Sequence, residues 1–314
     1  MGAPYIGSYG FLGYALESTL GTQATITDWV PFADVSIEKD PGLIEVKAAR
    51  GTRDIVYAVP PGEQKTTGPI TFPLFSQMGM ALVVGAIGHD SGVTATTPYT
   101  HTISQQNDME SFTLERNDGL GSIFYVGAVP GKLTIKGSTK SEAEVTIDFT
   151  CQADSTTGTP STPSYKTDQP FVLAGTTVAL FGASEAAVES FELTVDNQLS
   201  PRYTFWGKRG PKYIPSQGRV IELKVTMSLQ DATYYSHLPA IDASGAPDAG
   251  VETLTLVSGS DQMIINLPQM SIVKYSRPMK VGAVVMQDIT FRAWLGSGSN
   301  TMSATVVSPR ATTY

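Results

Sequence analysis

The stretch Ala143-Glu-Val-Thr-Ile-Asp-Phe-Thr-Cys151 alternates apolar and polar side chains at every step. Successive side chains of a β-strand point to opposite faces, so this pattern predicts a strand with one buried and one exposed face. Shorter stretches upstream show the same alternation, and an Asn117-Asp118-Gly119 turn separates two of them. The sequence therefore predicts a half-buried sheet, with further strands at residues 69–75, 99–104, 109–115, 123–126 and 133–136.

The composition extends this prediction to the whole chain. The 314 residues include 30 glycines and 20 prolines, spread among Thr, Ser and Val, which is typical of many short strands joined by turns. The length suits two domains, each large enough to bury its own core. We predict a mainly β protein with two tandem β-sandwich domains, each carrying a short flanking α-helix and a long projecting hairpin or loop. The predicted segments are an N-terminal arm (1–25), a first domain (26–152), a Ser/Thr/Pro-rich linker (153–170), a second domain (171–297) and a C-terminal strand and tail (298–314).

Short matches at a constant offset of 142 residues indicate that the second domain repeats the first. A strand followed by a helix also occurs twice, beginning at Gly68 and at Gly218. A competing match of residues 110–114 to residues 189–193 shows that single strand motifs also arise without duplication. The segments that match at the constant offset are 110–114 with 252–256, and 146–149 with 288–291.

Local signals predict two helices and one tight turn. Apolar residues at helical spacing predict a helix over residues 76–88, which Ser76 is expected to cap and Gly88 to end. Its counterpart in the second half is expected over residues 231–238. A hairpin turn is predicted at Lys39-Asp40-Pro41-Gly42, because turn-forming residues there interrupt an alternating apolar pattern.

The net charge of −8 is unevenly distributed. Residues 1–157 hold 17 acidic and 9 basic side chains, whereas residues 158–314 hold 12 of each. Affinity for nucleic acid depends on Lys and Arg replacing counterions, so this chain is not expected to grip DNA. The basic segment 202–213 fits a nucleic-acid loop or a contact with the acidic half of a neighbouring copy, and charge complementarity favours the neighbouring copy.

No motif predicts an enzyme, a cofactor or a metal site. The stretch His89-Asp90-Ser91-Gly92 has the residue types of a hydrolase triad, but triad members come from distant segments, so a polar turn is expected. The three histidines, His89, His101 and His237, lack the spacing of metal ligands. We therefore expect no catalysis, no cofactor and no bound metal.

Nothing in the sequence predicts export or membrane anchoring. Residues 1–10 lack the basic and apolar regions of a secretory signal. The longest apolar run, residues 80–87, is far shorter than the ~20 residues that cross a bilayer. The single Cys151 cannot form an internal disulfide and is expected to be a buried small hydrophobe. Synthesis in the cytoplasm is the expectation.

Several segments resemble the tail tube proteins of long-tailed, siphovirus-type phages. The resemblance begins at Gly13-Tyr-Ala-Leu-Glu17-Ser-Thr-Leu-Gly21-Thr22 and continues through Trp29-Val-Pro-Phe32. It includes the strand–helix unit at residues 68–88 and the Gly-rich strands up to Trp294, and so covers most of residues 10–297.

This resemblance implies a structural virion protein that polymerises as stacked rings into a tail tube. In that family the inner sheets of neighbouring subunits join into a continuous β-barrel around a channel for DNA. A ring has six tube domains, so a duplicated chain implies a homotrimer that imitates a hexamer. An acidic channel lets genome DNA pass without specific binding. The implied partners are further copies of this chain, a tape-measure protein and tail-end proteins.

The resemblance also implies that a long loop of each subunit reaches the next ring. Residues 39–65 fit that loop, and residues 202–213 fit its counterpart in the second half. The charged residues expected at these contacts are Lys39, Asp40, Glu45, Lys47, Arg50, Arg53, Asp54, Arg202, Lys208, Arg209 and Lys212.

Other functions stay open on the sequence alone. The inner tube of a contractile tail would share the sandwich and would add a sheath as a partner. Another β-sandwich virion, decoration or adhesin protein is the second alternative. Carbohydrate-binding modules usually display exposed aromatic residues on a platform, whereas Trp29, Trp206 and Trp294 each fit a strand or a loop.

Overall fold

The computed structural model describes residues 6–231, 233–238, 248–282, 284–296, 298 and 300–314. Within this range, strands dominate and every pairing between them is antiparallel, which confirms the predicted mainly β class. The helices are α1 (Met80–Ile87), α2 (Thr233–Ser236) and a 3-10 turn at Gly7–Tyr9. The strands are β1 (Phe11–Leu16), β2 (Asp28–Val30), β3 (Asp34–Val35), β4 (Glu38–Asp40), β5 (Val46–Lys47), β6 (Val56–Ala58), β7 (Lys65–Pro73), β8 (His89–Val93), β9 (Tyr99–Ser104), β10 (Phe112–Asn117), β11 (Ser122–Ser138), β12 (Ser141–Cys151), β13 (Ala153–Ser155), β14 (Val172–Leu180), β15 (Ala183–Ser184), β16 (Val188–Asp196), β17 (Val220–Ser228), β18 (Gly250–Ser258), β19 (Asp261–Ser276), β20 (Met286–Ala293) and β21 (Ser303–Ser308).

Eight strand positions form one continuous layer, which we call the central sheet. Its order is β3/β4, β7, β12, β11, β16, β17, β20 and β19. The short strands β3 and β4 follow each other along β7 and share one edge position. The C-terminal half of β19 forms the opposite edge.

Two long strands pass from the central sheet into outer sheets. The first part of β11 pairs with β10 and β13, and its second part pairs with β12 and β16. In the same way β19 pairs with β18 and β21 before it reaches β20. The predicted strands 123–126 and 133–136 are therefore parts of one strand. A register shift between Pro130 and Lys132 marks the passage between sheets without a turn.

The core lies between the central sheet, the outer sheets and α1. The alternation of residues 143–151 is found in β12, where Val145, Ile147, Phe149 and Cys151 are buried and face this core. Full burial of one such aliphatic or aromatic side chain stabilises the fold by roughly 1.5–3 kcal/mol. The buried state of Cys151 agrees with the role expected for it.

The first helix is shorter than predicted and is not capped by Ser76. Gly88 ends it as expected, but it begins after Gly79, which has a left-handed conformation with φ +74°. The amide of Gly79 donates a 3.0 Å hydrogen bond to the hydroxyl oxygen of Tyr14, on β1. Ser76 is buried and donates its hydroxyl hydrogen to Asp261 instead. A residue distant in sequence therefore supplies the acceptor that a local cap usually provides.

The predicted turn at residues 39–42 is wrong. The chain runs straight through this position, because β4 pairs with β7 and both continue outward as one long hairpin. Gly42 only kinks the strand at φ +52°, and its carbonyl accepts a 2.8 Å hydrogen bond from the amide of Gly62. The chain reverses further out, beyond the pairing of β5 with β6.

Parts of the predicted N-terminal arm and of the predicted linker are docked on the first half. Residues 11–16 of the predicted N-terminal arm form β1, and residues 1–5 of it lie outside the described residues. In the predicted linker, residues 153–155 form β13. The buried carboxylate of Glu115 then accepts a 3.0 Å hydrogen bond from the amide of Ser161. Hydrogen bonds rather than apolar burial therefore hold this Ser/Thr/Pro-rich segment.

The polar turn expected at residues 89–92 is a strand, β8, which pairs with β9. Asp90 is buried there, and its carboxylate lies 2.8 Å from Nδ1 of His101 on β9. Because these two polar side chains pair with each other inside the protein, the segment can be a strand rather than an exposed turn. The expected C-terminal strand exists as β21, which lies between β9 of the first half and β19 of the second. The expected second helix is only the single turn α2, and residue 232 lies outside the described residues.

Candidate functional site

One face of the central sheet is polar and open to solvent, and we call it the polar face. The antiparallel register brings its charged side chains into rows across neighbouring strands. Its carboxylates are Asp34, Glu38, Asp40, Glu142, Glu144, Asp148, Glu192, Asp196, Glu222 and Asp288, and its cations are Lys65, Lys132, Lys136, Lys224, Lys274 and Arg292. Carboxylates outnumber cations ten to six in this set, so the polar face is negatively charged.

Glu192 occupies the centre of one row. Its carboxylate lies 3.8 Å from Nζ of Lys136 on β11 and accepts a 3.0 Å hydrogen bond from Lys224 on β17. That hydrogen bond holds the pKa of Glu192 below its usual range, against the opposing effect of partial burial. Glu192 therefore stays ionised between its two lysines. The three side chains line a shallow depression of about 420 Å³.

The neighbouring rows repeat this arrangement. Lys132 lies opposite Asp148 on one side and Asp196 on the other. Partial burial raises the pKa of Asp148, and the charge of Lys132 opposes that shift. Nε of Arg292 donates a 3.0 Å hydrogen bond to Glu222, which lies directly across from it. Positive charge in the interior of this face thus lies beside negative charge.

The two edges of the central sheet differ in charge. The β3/β4 edge presents Asp34, Glu38 and Asp40, whereas the β19 edge presents Lys274 beside the exposed Val273. Within the residues that the structure describes, neither edge is paired on its outer side. An unpaired edge is a template for pairing with another chain. The edges are therefore candidate contacts between copies.

A long hairpin, residues 41–64, leaves the sheet between β4 and β7, and we call it the projecting hairpin. Soluble domains rarely leave contiguous apolar patches open to water unless the patch binds something. The apolar side chains exposed along this hairpin are Leu43, Ile44, Ile55, Val56, Tyr57 and Val59. The projecting hairpin is therefore a second candidate contact surface.

Charged residues predicted for contacts near the base of this hairpin already have partners in the same chain. Nζ of Lys39 lies 2.8 Å from a carboxylate oxygen of Asp154. Asp40 accepts a 2.9 Å hydrogen bond from the backbone two residues on. Glu45 and Lys47 lie 3.3 Å apart and both are largely exposed. The base residues thus shape the hairpin.

Predicted residues near the hairpin tip are differently placed. The guanidinium of Arg50 lies 5.1 Å from the centre of the Tyr57 ring. Arg53 and Asp54 are exposed at the tip. These side chains are accessible to a neighbouring molecule.

Residues 202–213 form the basic loop, between β16 and β17, at the same end of the sheet as the projecting hairpin. Nε of Arg209 donates a 2.9 Å hydrogen bond to the carbonyl oxygen of Gly62, and its Nη2 donates to the carbonyl of Pro41. The structure thus brings the outer part of the basic loop against the base of the projecting hairpin.

The other cations of the basic loop are accessible or half-exposed. The backbone of Arg202 pairs with that of Tyr213, whose ring centre lies 5.0 Å from Nζ of Lys212. Nζ of Lys208 lies 5.0 Å from the ring centre of Trp206. Stacking on aromatic rings restrains these lysines and leaves their charge available.

Sequence reasoning missed the charged residues of the polar face. A signal existed in three pentapeptides that share one pattern: Lys132-Leu-Thr-Ile-Lys136, Glu144-Val-Thr-Ile-Asp148 and Glu192-Leu-Thr-Val-Asp196. Each has charged ends, a central Thr and two buried apolar residues. The pattern predicts which residues face outward, but only the strand register reveals which charges meet.

The described residues contain no group of three or more His, Cys, Asp or Glu side chains placed to hold a metal ion. Neither α1 nor α2, the helices of that part of the chain, is long and apolar enough to cross a membrane.

A polar, negatively charged sheet face with two open edges and a projecting apolar hairpin is the geometry of an assembling subunit. Comparison with known families agrees with this reading, because the model of the phage tail tube protein family matches residues 7–293. A comparison with curated proteins finds no match. The matched residues span nearly the whole chain, which therefore belongs to the phage tail tube protein family and is a structural component of the virion tail.

Proposed function

We propose that three copies of this chain form a ring whose central sheets join edge to edge, and that rings stack into the tail tube of a long-tailed, siphovirus-type phage. The polar face lines the channel through which genome DNA leaves. The observation that carries this proposal is the central sheet itself, which has eight strand positions and two open edges.

Strand direction supports edge-to-edge closure. An even number of antiparallel positions makes the two edge strands run in opposite directions. The β19 edge of one copy and the β3/β4 edge of the next therefore meet as an antiparallel pair. Closure would remove both free edges of the central sheet, which otherwise promote aggregation.

Strand order supports two tube domains per chain, in the first half (26–152) and the second half (171–297). The first four positions of the sheet are β3/β4, β7, β12 and β11, and the last four are β16, β17, β20 and β19. In both sets the first two positions hold the first and second strands in chain order. The third position holds the last strand in chain order, and the fourth position holds the strand before it. The sequence segments matched at the offset of 142 include residues 146–149 and 288–291, which lie on the equivalent strands β12 and β20.

Charge supports a channel for DNA. The polar face carries more carboxylates than cations, so it repels phosphate groups at short range. The opposite face of the sheet is buried in the core and is not accessible to any polymer.

The projecting hairpin and the basic loop support stacking between rings. Both leave the same end of the sheet. The hairpin connects the first two strand positions of the first half, and the basic loop connects the first two strand positions of the second half. We assign the contact with the next ring to exposed residues of the hairpin tip and the basic loop. Tape-measure and tail-end proteins are the further partners that a growing tube requires, and the role is structural rather than catalytic.

Negative-stain electron microscopy of concentrated protein tests this proposal. Hollow tubes with stacked rings and threefold end-on symmetry are the expected result. Rings of six chains would overturn the trimer, and discrete particles at every concentration would overturn self-assembly as the function.

A further inference from the structure

The cations of the polar face are distributed in a way that net charge alone does not explain. Lys132 lies directly opposite two carboxylates, and so does Lys136. Lys224 and Arg292 each bond to a carboxylate across the strand, and Lys65 lies opposite Asp40. Among the described residues of this face, only Lys274, on the open edge, has no carboxylate directly across from it.

Such pairing matters for a polymer of phosphates. A Lys or Arg that is free to replace counterions adds one phosphate contact and slows the passage of DNA. A cation already held by a carboxylate has lost part of that ability, because phosphate must compete with a neighbour a few ångströms away.

We propose that the cross-strand carboxylates mask the cations of the polar face from DNA phosphates, and that Glu192 is the principal mask because it covers two lysines. This inference rests on the proposed function for the identity of the passing polymer. The masking itself belongs to the single chain and does not depend on assembly.

Glu192 is suited to this role by position. It lies between Lys136 and Lys224, with a 3.0 Å hydrogen bond to the second lysine. Its side chain is one-third exposed, so it is open to the same solvent as the lysines it covers. Glu144 also lies opposite Lys136 in the strand register, but Glu192 is the carboxylate that lies within 4 Å of both ammonium groups. Removing the charge of Glu192 would therefore take the nearest negative charge from both lysines, beside the same shallow depression.

The test compares two substitutions that remove the same charge from the same face. Glu192→Gln uncovers two lysines. Glu142→Gln is the matched control, because Glu142 lies opposite Val172 rather than a cation. Binding of each unassembled subunit, at about 1 µM, to a fluorescent DNA duplex is measured by anisotropy over a range of salt concentrations.

Masking predicts that Glu192→Gln binds DNA roughly tenfold more tightly than Glu142→Gln at low salt. The slope of the logarithm of its binding constant against the logarithm of salt concentration should steepen by up to about 2, as two new phosphate contacts require. Adding Lys136→Met and Lys224→Met to Glu192→Gln should return the affinity to that of the unmodified protein.

Equal affinities of the two variants would overturn masking and leave net charge as the explanation. Failure of Glu192→Gln to bind DNA at all would overturn it as well. Both outcomes are separable from the proposed function, because tube formation by the unmodified protein is scored independently by microscopy.

Discussion

Nε of Arg209 in the basic loop donates a 2.9 Å hydrogen bond to the carbonyl oxygen of Gly62 in the projecting hairpin. The amide of Gln64 returns a 3.0 Å hydrogen bond to the carbonyl of Arg209. A loop of the second half therefore braces the base of a hairpin of the first half. This brace restrains the direction in which the hairpin leaves the sheet.

Arg209→Ala should loosen the base of the hairpin without unfolding the protein. The substitution removes the hydrogen bonds from the guanidinium to the carbonyls of Gly62 and Pro41. Their loss costs about 1 kcal/mol locally, so the amides of Ile44 and Gly62 should exchange hydrogen roughly fivefold faster. Hydrogen-exchange mass spectrometry measures this effect. Lys208→Ala is the control within the same loop, and equal acceleration in both variants would contradict the brace.

Replacing Arg50 and Arg53 with Glu should leave rings soluble but block their stacking. Both side chains lie in the outer part of the projecting hairpin, where reversed charge would meet the contact surface of the next ring. Electron microscopy and sedimentation distinguish single rings from tubes. Lys166→Glu, at an exposed position in the linker, is the control, and tubes of normal length from the double variant would count against the assignment.

Lys274→Glu should weaken ring closure, because the β19 edge would then bring a carboxylate to an edge that presents Asp34 and Glu38. Adding Glu38→Lys should restore closure by reversing the pair. Size-exclusion chromatography with light scattering reports ring formation. The control is Lys280→Glu, which makes the same charge change beyond the end of β19. A double variant that assembles no better than Lys274→Glu would argue against these edges as partners.

Glu252→Gln should stabilise the subunit at alkaline pH. Glu252 is fully buried, and this burial raises its pKa to about 8 from an ordinary value near 4.5. The folded state holds the proton of Glu252 more tightly than the unfolded state, so the stability that this group contributes is fully present below pH 4.5 and is lost as the pH rises through 8. Gln imitates the protonated form, so the variant should lack that decline. At pH 9 its free energy of unfolding should exceed that of the unmodified protein by a few kcal/mol more than at pH 5.

Urea denaturation of the unassembled subunit between pH 5 and pH 9 measures this difference. Glu189→Gln removes an exposed carboxylate and should leave the decline unchanged. Parallel pH profiles for Glu252→Gln and the unmodified protein would show that Glu252 does not carry the pH dependence.

The sequence predicted those features that depend on neighbouring residues. Alternation from Ala143 to Cys151 specified a strand and also which of its faces is buried, because side chains of a strand point alternately to opposite sides. Gly88 was predicted as the end of the first helix because glycine commonly follows the last turn of a helix, and the helix does end there. The class of the fold and the exposed hairpin segment followed from the same local reasoning.

Other features were decided only by contacts between distant segments. The acceptor for the amide of Gly79 is Tyr14, so no local pattern could identify it, and Ser76 turned inward to Asp261. Residues 39–42 look like a turn, but their pairing with β7 keeps the strand running. Short-range preferences amount to about 1 kcal/mol or less per residue and are overridden by tertiary packing.

The candidate site shows the same division. The pentapeptides around Lys132, Asp148 and Glu192 determine by themselves that these charges face outward. Which cation meets which carboxylate depends on strand order and register, and both are set by pairing between residues far apart in the chain. A shift of one residue in that register would turn every one of these charges toward the core, so only the packed core decides the arrangement of the polar face.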